Sequence, residues 1–160
     1  ETDFRPHFFD GVVSVVHRLF TQVKPDIAIF GEKDFQQQMV IREMVSDHDM
    51  PIIIVAAETV RDEFGLALSS RNAYLSEEEL GIARMLNQIM YGVAHGINEG
   101  VDLGNACNNA GAMLKECGFD KVDYVAYQKD WNRVLVAAYL GKTRLIDNCA
   151  VPSNLPMLSA

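Results

Sequence analysis

The chain has little cysteine, little histidine and a deficit of basic charge. Its cysteines, Cys107, Cys117 and Cys149, are odd in number and lack any C-x-x-C spacing, so neither a disulfide framework nor a zinc site follows, and buried free thiols are expected. The histidines, His7, His17, His48 and His95, offer no i,i+4 pair and no His-Asp-Ser pattern, which disfavours a metal hydrolase and a serine hydrolase. With 14 Lys and Arg against 22 Asp and Glu, the net charge is -8. A nucleic-acid or anionic-membrane surface would need a strong local basic cluster, and none is visible. No apolar run approaches the roughly 18 residues of a membrane span, and Glu1 to Gly11 show neither the basic nor the apolar stretch of a secretion signal. The expectation is a cytoplasmic protein with no nucleic-acid or membrane partner.

What is present is the composition of a globular chain: 160 residues, 49% hydrophobic and 22% charged, enough for one domain or two small ones. Val12, Val15, Val16, Leu19, Phe20 and Val23 recur at helical spacing and predict an amphipathic helix ended by Lys24-Pro25. Asp26 to Phe30 is a short apolar run stopped by Gly31. Val40, Ile41, Met44 and Val45 mark a second helix reaching about Asp47, and Pro51 to Val55 reads as another strand. Continuous apolar strands around a helix predict a β-α-β unit of a parallel sheet covered on both faces. Two strands cannot bury both faces and both edges of a sheet, so this part is expected to belong to a longer protein or to need a partner.

Beyond Val60 the pattern changes. Arg61 to Gly65 is a polar turn and Ser69 to Asn72 a second polar stretch. Ser76 and Glu79 form a capping box for a helix whose apolar face is Ile82, Met85, Leu86, Ile89, Met90 and Val93. Leu103 to Cys117 predicts another helix, stopped by Gly118. Three β-rich runs follow, Val122 to Tyr127, Arg133 to Leu140 and Thr143 to Cys149, the last two joined as a hairpin through Gly141-Lys142.

Two segments carry candidate chemistry. Gly31-Glu32-Lys33-Asp34-Phe35-Gln36-Gln37 lies where a strand gives way to a helix, the place where open α/β sheets bind ligands and where free N–H groups favour an anion. Gly31 lets the chain turn close to a ligand, Lys33 offers an ammonium, and Gln37 follows one turn on. The same residues also read as a charged loop with Asp34 as N-cap. In Gly65-Leu66-Ala67-Leu68-Ser69-Ser70-Arg71-Asn72, two hydroxyls and a guanidinium can surround a polyphosphate, although Ser and Asn are also turn formers.

These segments, together with Thr59-Val60-Arg61, Ala73-Tyr74-Leu75 and Gly141-Lys142-Thr143-Arg144-Leu145-Ile146-Asp147-Asn148, resemble the pantothenate synthetase (pantoate–β-alanine ligase) family through essentially the whole chain. The resemblance implies the end of a Rossmann-like nucleotidyltransferase sheet over residues 1–60, a phosphate-binding loop and hinge over 61–72, and a small α+β lid domain with an antiparallel hairpin over 73–160. It implies ATP and Mg2+ as cofactors, pantoate and β-alanine as substrates, a pantoyl-adenylate intermediate, and a homodimer. In its terms Gly31, Glu32, Lys33 and Asp34 line the ATP site, with Lys33 on the phosphates and Asp34 near the metal or the amine. Gln37 and Arg5 bind pantoate, Val60 contacts the adenine side, and Leu68, Ser69, Ser70 and Arg71 form the phosphate loop. Lys33, Ser69, Ser70 and Arg71 would carry the catalysis, because attack at the α-phosphate calls for positive charge and oriented donors more than for a covalent nucleophile.

The chain departs from the family in three respects. The family's N-terminal strand with its His-x-Gly-His motif is absent, as is a second pantoate-binding glutamine, so about half of a site is expected here, with the missing N-terminal half as partner. Arg5-Pro6-His7-Phe8-Phe9-Asp10-Gly11 also places its histidine one position early. Another ligase of the same superfamily and a non-catalytic association fragment are the alternatives. His17, Trp131 and Tyr127 read as structural, and Arg144 with Asp147 as an ion pair or a contact to the other domain.

Overall fold

The structure, a computed structural model, describes residues 7–152. It divides into two units, Glu1–Thr59 and Val60–Ala160. Arg5 lies outside the described residues.

In the first unit, helix α1 (Phe8–Val23) ends where Lys24 turns into the left-handed region and donates its N–H to the Phe20 carbonyl. Pro25 follows with no N–H to continue the helix. Strand β1 (Ile27–Gly31) pairs in parallel with β2 (Ile53–Ala57), in register from Ile27 opposite Ile53 to Gly31 opposite Ala57. A 3-10 turn, Glu32–Asp34, leads from β1 into helix α2 (Phe35–Asp47). Phe20, Ile41, Met44, Val45 and Ile54 are buried together, with Ala28 and Phe30 packed against them. Among the described residues the expected cover is found on one face only. Side chains alternate across a strand, and the opposite set, Ile27, Ile29, Ile53 and Val55, is exposed.

In the second unit, which starts at Val60, the first helical element is a 3-10 helix, Ser70–Tyr74, where the sequence suggested only a polar stretch. Helix α3 (Glu77–Asn98) opens with the complete capping box, the Ser76 hydroxyl accepting the Glu79 amide and the Glu79 carboxylate accepting the Ser76 amide. Helix α4 (Leu103–Glu116) stops before Gly118, whose φ of +111 suits glycine. An antiparallel sheet follows in the order β3-β4-β5, formed by β3 (Lys121–Gln128), β4 (Arg133–Leu140) and β5 (Thr143–Ala150). Leu140 pairs with Thr143 across the expected two-residue turn. One face of the sheet packs on both helices around Leu86, Met90, Leu114, Val134, Val136 and Leu140. The fold class is therefore mixed α/β, a parallel sheet followed by a three-stranded antiparallel one. No helix among the described residues is long and apolar enough to cross a membrane.

The cysteines are all free, but only Cys149 is buried; Cys107 and Cys117 are half-buried, packed against the core of the second unit. The rings of His17 and His48, unrelated by spacing, lie with centroids 4.7 Å apart and planes tilted by 54°. No group of three or more metal-ligating side chains occurs among the described residues.

Candidate functional site

Each unit presents one of the two candidate segments. In the first unit, Gly31 ends β1 with φ -69, an ordinary extended conformation, so the turn does not require glycine. A Cβ built at Gly31 meets nothing within 4 Å, so the space beside it is open. Glu32, Lys33 and Asp34 form the 3-10 turn at the carboxyl end of the strand. Asp34 holds the N-cap position of α2, as the sequence suggested, but its side chain makes no capping hydrogen bond. Gln37 is half-buried in the first turn of α2. Its neighbour Gln38, not singled out by the sequence, is 2% exposed, and its Nε2 has no hydrogen-bond partner among the described residues.

In the second unit, residues 60–72 form a clasped loop. Arg61 pairs with Ala67 in an isolated antiparallel bridge, the Leu68 amide donates to the Val60 carbonyl at 2.9 Å, and the Asp62 amide donates to the Leu66 carbonyl at 2.9 Å. Asp62 Oδ1 accepts the amides of Phe64 (3.0 Å) and Leu66 (2.8 Å), and its Oδ2 accepts Arg84 Nε at 3.0 Å. Burial pushes the Asp62 carboxyl up, but these donors outweigh it and hold it below the usual carboxylate range. Glycine suits the tip at Gly65. Its φ is +91, and a Cβ would lie 2.7 Å from Asn87 Oδ1.

Beyond the bridge, the Asn72 side-chain amide donates to the Ala67 carbonyl at 3.1 Å, and the Asn72 backbone amide donates to the Ser69 carbonyl at 3.0 Å. Both ends of Leu68-Ser69-Ser70-Arg71 are thereby tied. Ser69 caps the 3-10 helix, its hydroxyl accepting the Arg71 amide at 3.3 Å. Leu68, Ser70 and Arg71 face solvent, Ser69 is half-buried, and Val60 is 67% exposed. The loop thus offers two hydroxyls and a guanidinium on a short, internally bonded frame, an arrangement able to hold an oxyanion.

Arg61 anchors this frame. Its Nη1 donates to the Gly65 carbonyl at 3.0 Å and to Asp147 Oδ2 at 2.6 Å, and its Nη2 donates to Asp147 Oδ1 at 2.9 Å. Burial lowers the Arg61 value, but the hydrogen bond and charge of Asp147 more than offset this, and the group titrates above its usual range. The expected pairing of Arg144 with Asp147 is not formed. Arg144 Nε donates to Asp123 Oδ2 at 2.8 Å, and Asp147 turns to Arg61 instead. Residues 144 and 147 sit at odd spacing on a strand and so face opposite sides of the sheet. The role of Arg61 was not read from the sequence; the signal was its place in Thr59-Val60-Arg61, one of the segments of the family resemblance.

A family profile described as Pantoate-beta-alanine ligase matches residues 1–150. Pantothenate synthetase of Mesorhizobium japonicum is 49% identical over 162 residues, covering 95% of this chain and 57% of that protein. That of Rhizorhabdus wittichii is 52% identical over 158 residues, with 92% and 56% covered. Among solved structures, pantothenate synthetase from Thermus thermophilus matches with a TM-score of 0.85 at 39% identity, over 94% of this chain and 59% of that one. Pantoate-beta-alanine ligase from Francisella tularensis, complexed with beta-gamma ATP and beta-alanine, matches with a TM-score of 0.76 at 34% identity, over 92% and 52%. The chain spans a little over half the length of these relatives.

Proposed function

Because the chain belongs to the pantoate-beta-alanine ligase family, we propose that it forms part of an enzyme that condenses pantoate with β-alanine at the expense of ATP. The observation that carries this reading is the family match over residues 1–150. The clasped loop with its outward-facing Ser70 and Arg71 supports it. In the first step a pantoate carboxylate oxygen attacks the α-phosphorus, the bond to the pyrophosphate oxygen breaks, and pantoyl adenylate and pyrophosphate result. In the second, the β-alanine amine attacks the acyl carbon, loses a proton and displaces AMP.

In this reading Gly31, Glu32 and Lys33 line the triphosphate, with Lys33 neutralising charge that develops on the leaving group. Ser69, Ser70 and Arg71 give the phosphates oriented donors, Leu68 closes the loop over them, and Val60 meets the adenine side. Gln37 and Arg5 hold pantoate. The donor set suits Mg2+, which binds through one or two carboxylates and completes its shell with phosphate oxygens and water: Asp34 leaves α2 uncapped by its side chain, and Glu32 stands on the same turn. When bound, the ion would neutralise phosphate charge. The additional length of the relatives supplies the remainder of the site. The reading also takes the enzyme to be a cytoplasmic homodimer.

The test is pantoate-dependent exchange of pyrophosphate into ATP by the complete enzyme. Lys33→Ala or Ser70→Ala should slow exchange by about a hundredfold or more, the loss typical of a preorganised donor at developing charge. Unchanged kcat in Lys33→Ala would remove Lys33 from the mechanism. Exchange supported by another carboxylic acid, with pantoate silent, would point to a different ligase of the superfamily.

A further inference from the structure

We propose that Arg61 and Asp147 are positioning residues for the phosphate loop: the forked pair joins the base of the loop to β5 and sets where Ser69, Ser70 and Arg71 stand. This rests on reading residues 68–71 as the part of the protein that holds the ATP phosphates.

Two stretches 86 residues apart in sequence meet in this pair. Arg61 stands at the mouth of the loop, bridged to Ala67 and adjacent to Val60, whose carbonyl holds the Leu68 amide. Gly65 supplies the carbonyl shared by Arg61 Nη1. Asp147 comes from β5 and is 3% exposed. Opposite Val136 in register and two residues from Leu145 and Cys149, Asp147 lies on the helix-covered face of the sheet. Its Oδ1 accepts the Asn148 amide at 2.8 Å as well as Arg61 Nη2. The sheet also touches the 3-10 helix of the loop directly, through β5.

Stability alone does not call for this arrangement. Burying two charges costs desolvation energy that their attraction roughly repays, and apolar residues of similar volume are often as stable or more so. What the charged pair adds is direction. A planar guanidinium with two donors on a carboxylate and one shared with a carbonyl fixes the loop in both translation and rotation. Lysine, a compact point charge without the planar fork, cannot make the two parallel bonds to the carboxylate while also reaching the Gly65 carbonyl. A displacement of about 1 Å at a catalytic group can cost on the order of a hundredfold in rate, so small freedom at the base of the loop is felt at Ser70.

The experiment compares wild type, Arg61→Met/Asp147→Leu, Arg61→Lys and Ser70→Ala in the complete enzyme, measuring melting temperature and the kinetics of pantoate-dependent pyrophosphate exchange. The apolar pair should melt within about 4 °C of wild type, a change worth roughly 1 kcal/mol or less. Its kcat/KM for ATP should fall about tenfold or more, while KM for pantoate changes less than about twofold. Arg61→Lys should show the same split in smaller measure. Wild-type ATP kinetics in a folded apolar pair would overturn the proposal, and so would equal losses for ATP and pantoate that follow the melting temperature. If the apolar pair does not fold, Arg61→Lys decides by the same criteria. Should Ser70→Ala leave ATP kinetics untouched, the reading of the loop itself fails and the proposal with it. A response in Ser70→Ala without one in the Arg61 variants overturns the positioning role alone.

Discussion

The first unit carries four large aliphatic side chains, Ile27, Ile29, Ile53 and Val55, on an exposed sheet face, whereas the second folds two helices over its sheet and buries Leu114, Met90 and Val134 almost completely. Both units have apolar strands; they differ in what is available to cover them. Alternate residues of β1 pack against α1 and α2, and the remainder keep their contact with water, which forfeits about 25 cal/mol for each Å2 of apolar surface left uncovered. Their candidate segments differ in the same sense. The turn at Glu32–Asp34 follows directly from the end of a strand, while the loop at 60–72 is held by side chains drawn from α3 and β5. The second unit fixes the geometry of its loop with its own residues.

The sharpest test of this contrast is a pair of substitutions. Leu114 is 0% exposed, and Leu114→Ala should destabilise the second unit by about 2–5 kcal/mol through lost transfer energy and a residual cavity. Ile29 is 69% exposed, and Ile29→Thr should change stability by no more than about 0.5 kcal/mol. Denaturant titration read by hydrogen exchange in β1 and in β4 assigns each effect to its unit. A large loss from Ile29→Thr would mean that the exposed face is packed in solution.

A smaller effect is expected in acid. Asp62 and Asp123, both in the second unit, are pushed up by burial but held below their usual range on balance, Asp62 by amides and Arg84, Asp123 by Lys121 and Arg144. A carboxyl whose folded value is depressed contributes stability that is fully present above its unfolded value, about 3.9, and is lost as pH falls through the folded one. The second unit should therefore weaken progressively below about pH 4. Asp62→Asn/Asp123→Asn should be less stable at neutral pH and show a shallower acid slope in denaturant midpoints taken from pH 7 to pH 2. An unaltered slope would show that other carboxyls dominate.

The elements were legible where period and punctuation agreed. Lys24-Pro25, the Ser76–Glu79 box and Gly141-Lys142 each mark a boundary by local chemistry, and the structure places its boundaries there. Residues 70–74 were not legible as a 3-10 helix. Its side-chain tie runs from Asn72 back to Ala67, and a run of Ser, Arg and Asn has the composition of any turn. The partner of Asp147 was misread for a related reason: Arg144 is the nearest cation in sequence, but the strand's alternation sends the two side chains to opposite faces, and Arg61 arrives from 86 residues away. Local pattern reports elements; it does not report which distant charge a buried carboxylate requires.

The cysteines give the finest probe, since all three belong to the second unit and sample different depths of it. Burial, aided by the charge of Asp147, pushes the Cys149 thiol up to about 11, and its sulfur lies 3.9 Å from the Met90 carbonyl. The thiolate is the reactive form, so at pH 8 only about one molecule in a thousand would carry it at Cys149 even before access is considered. Cys107 and Cys117 are half-buried and should react first with a water-soluble disulfide reagent. Under denaturant that releases protection in β1 and β2, Cys149 should stay unmodified until protection in β4 and β5 is lost as well. Labelling of Cys149 in step with the first unit would mean that the two units open together, and the contrast between them would then be one of surface, not of stability.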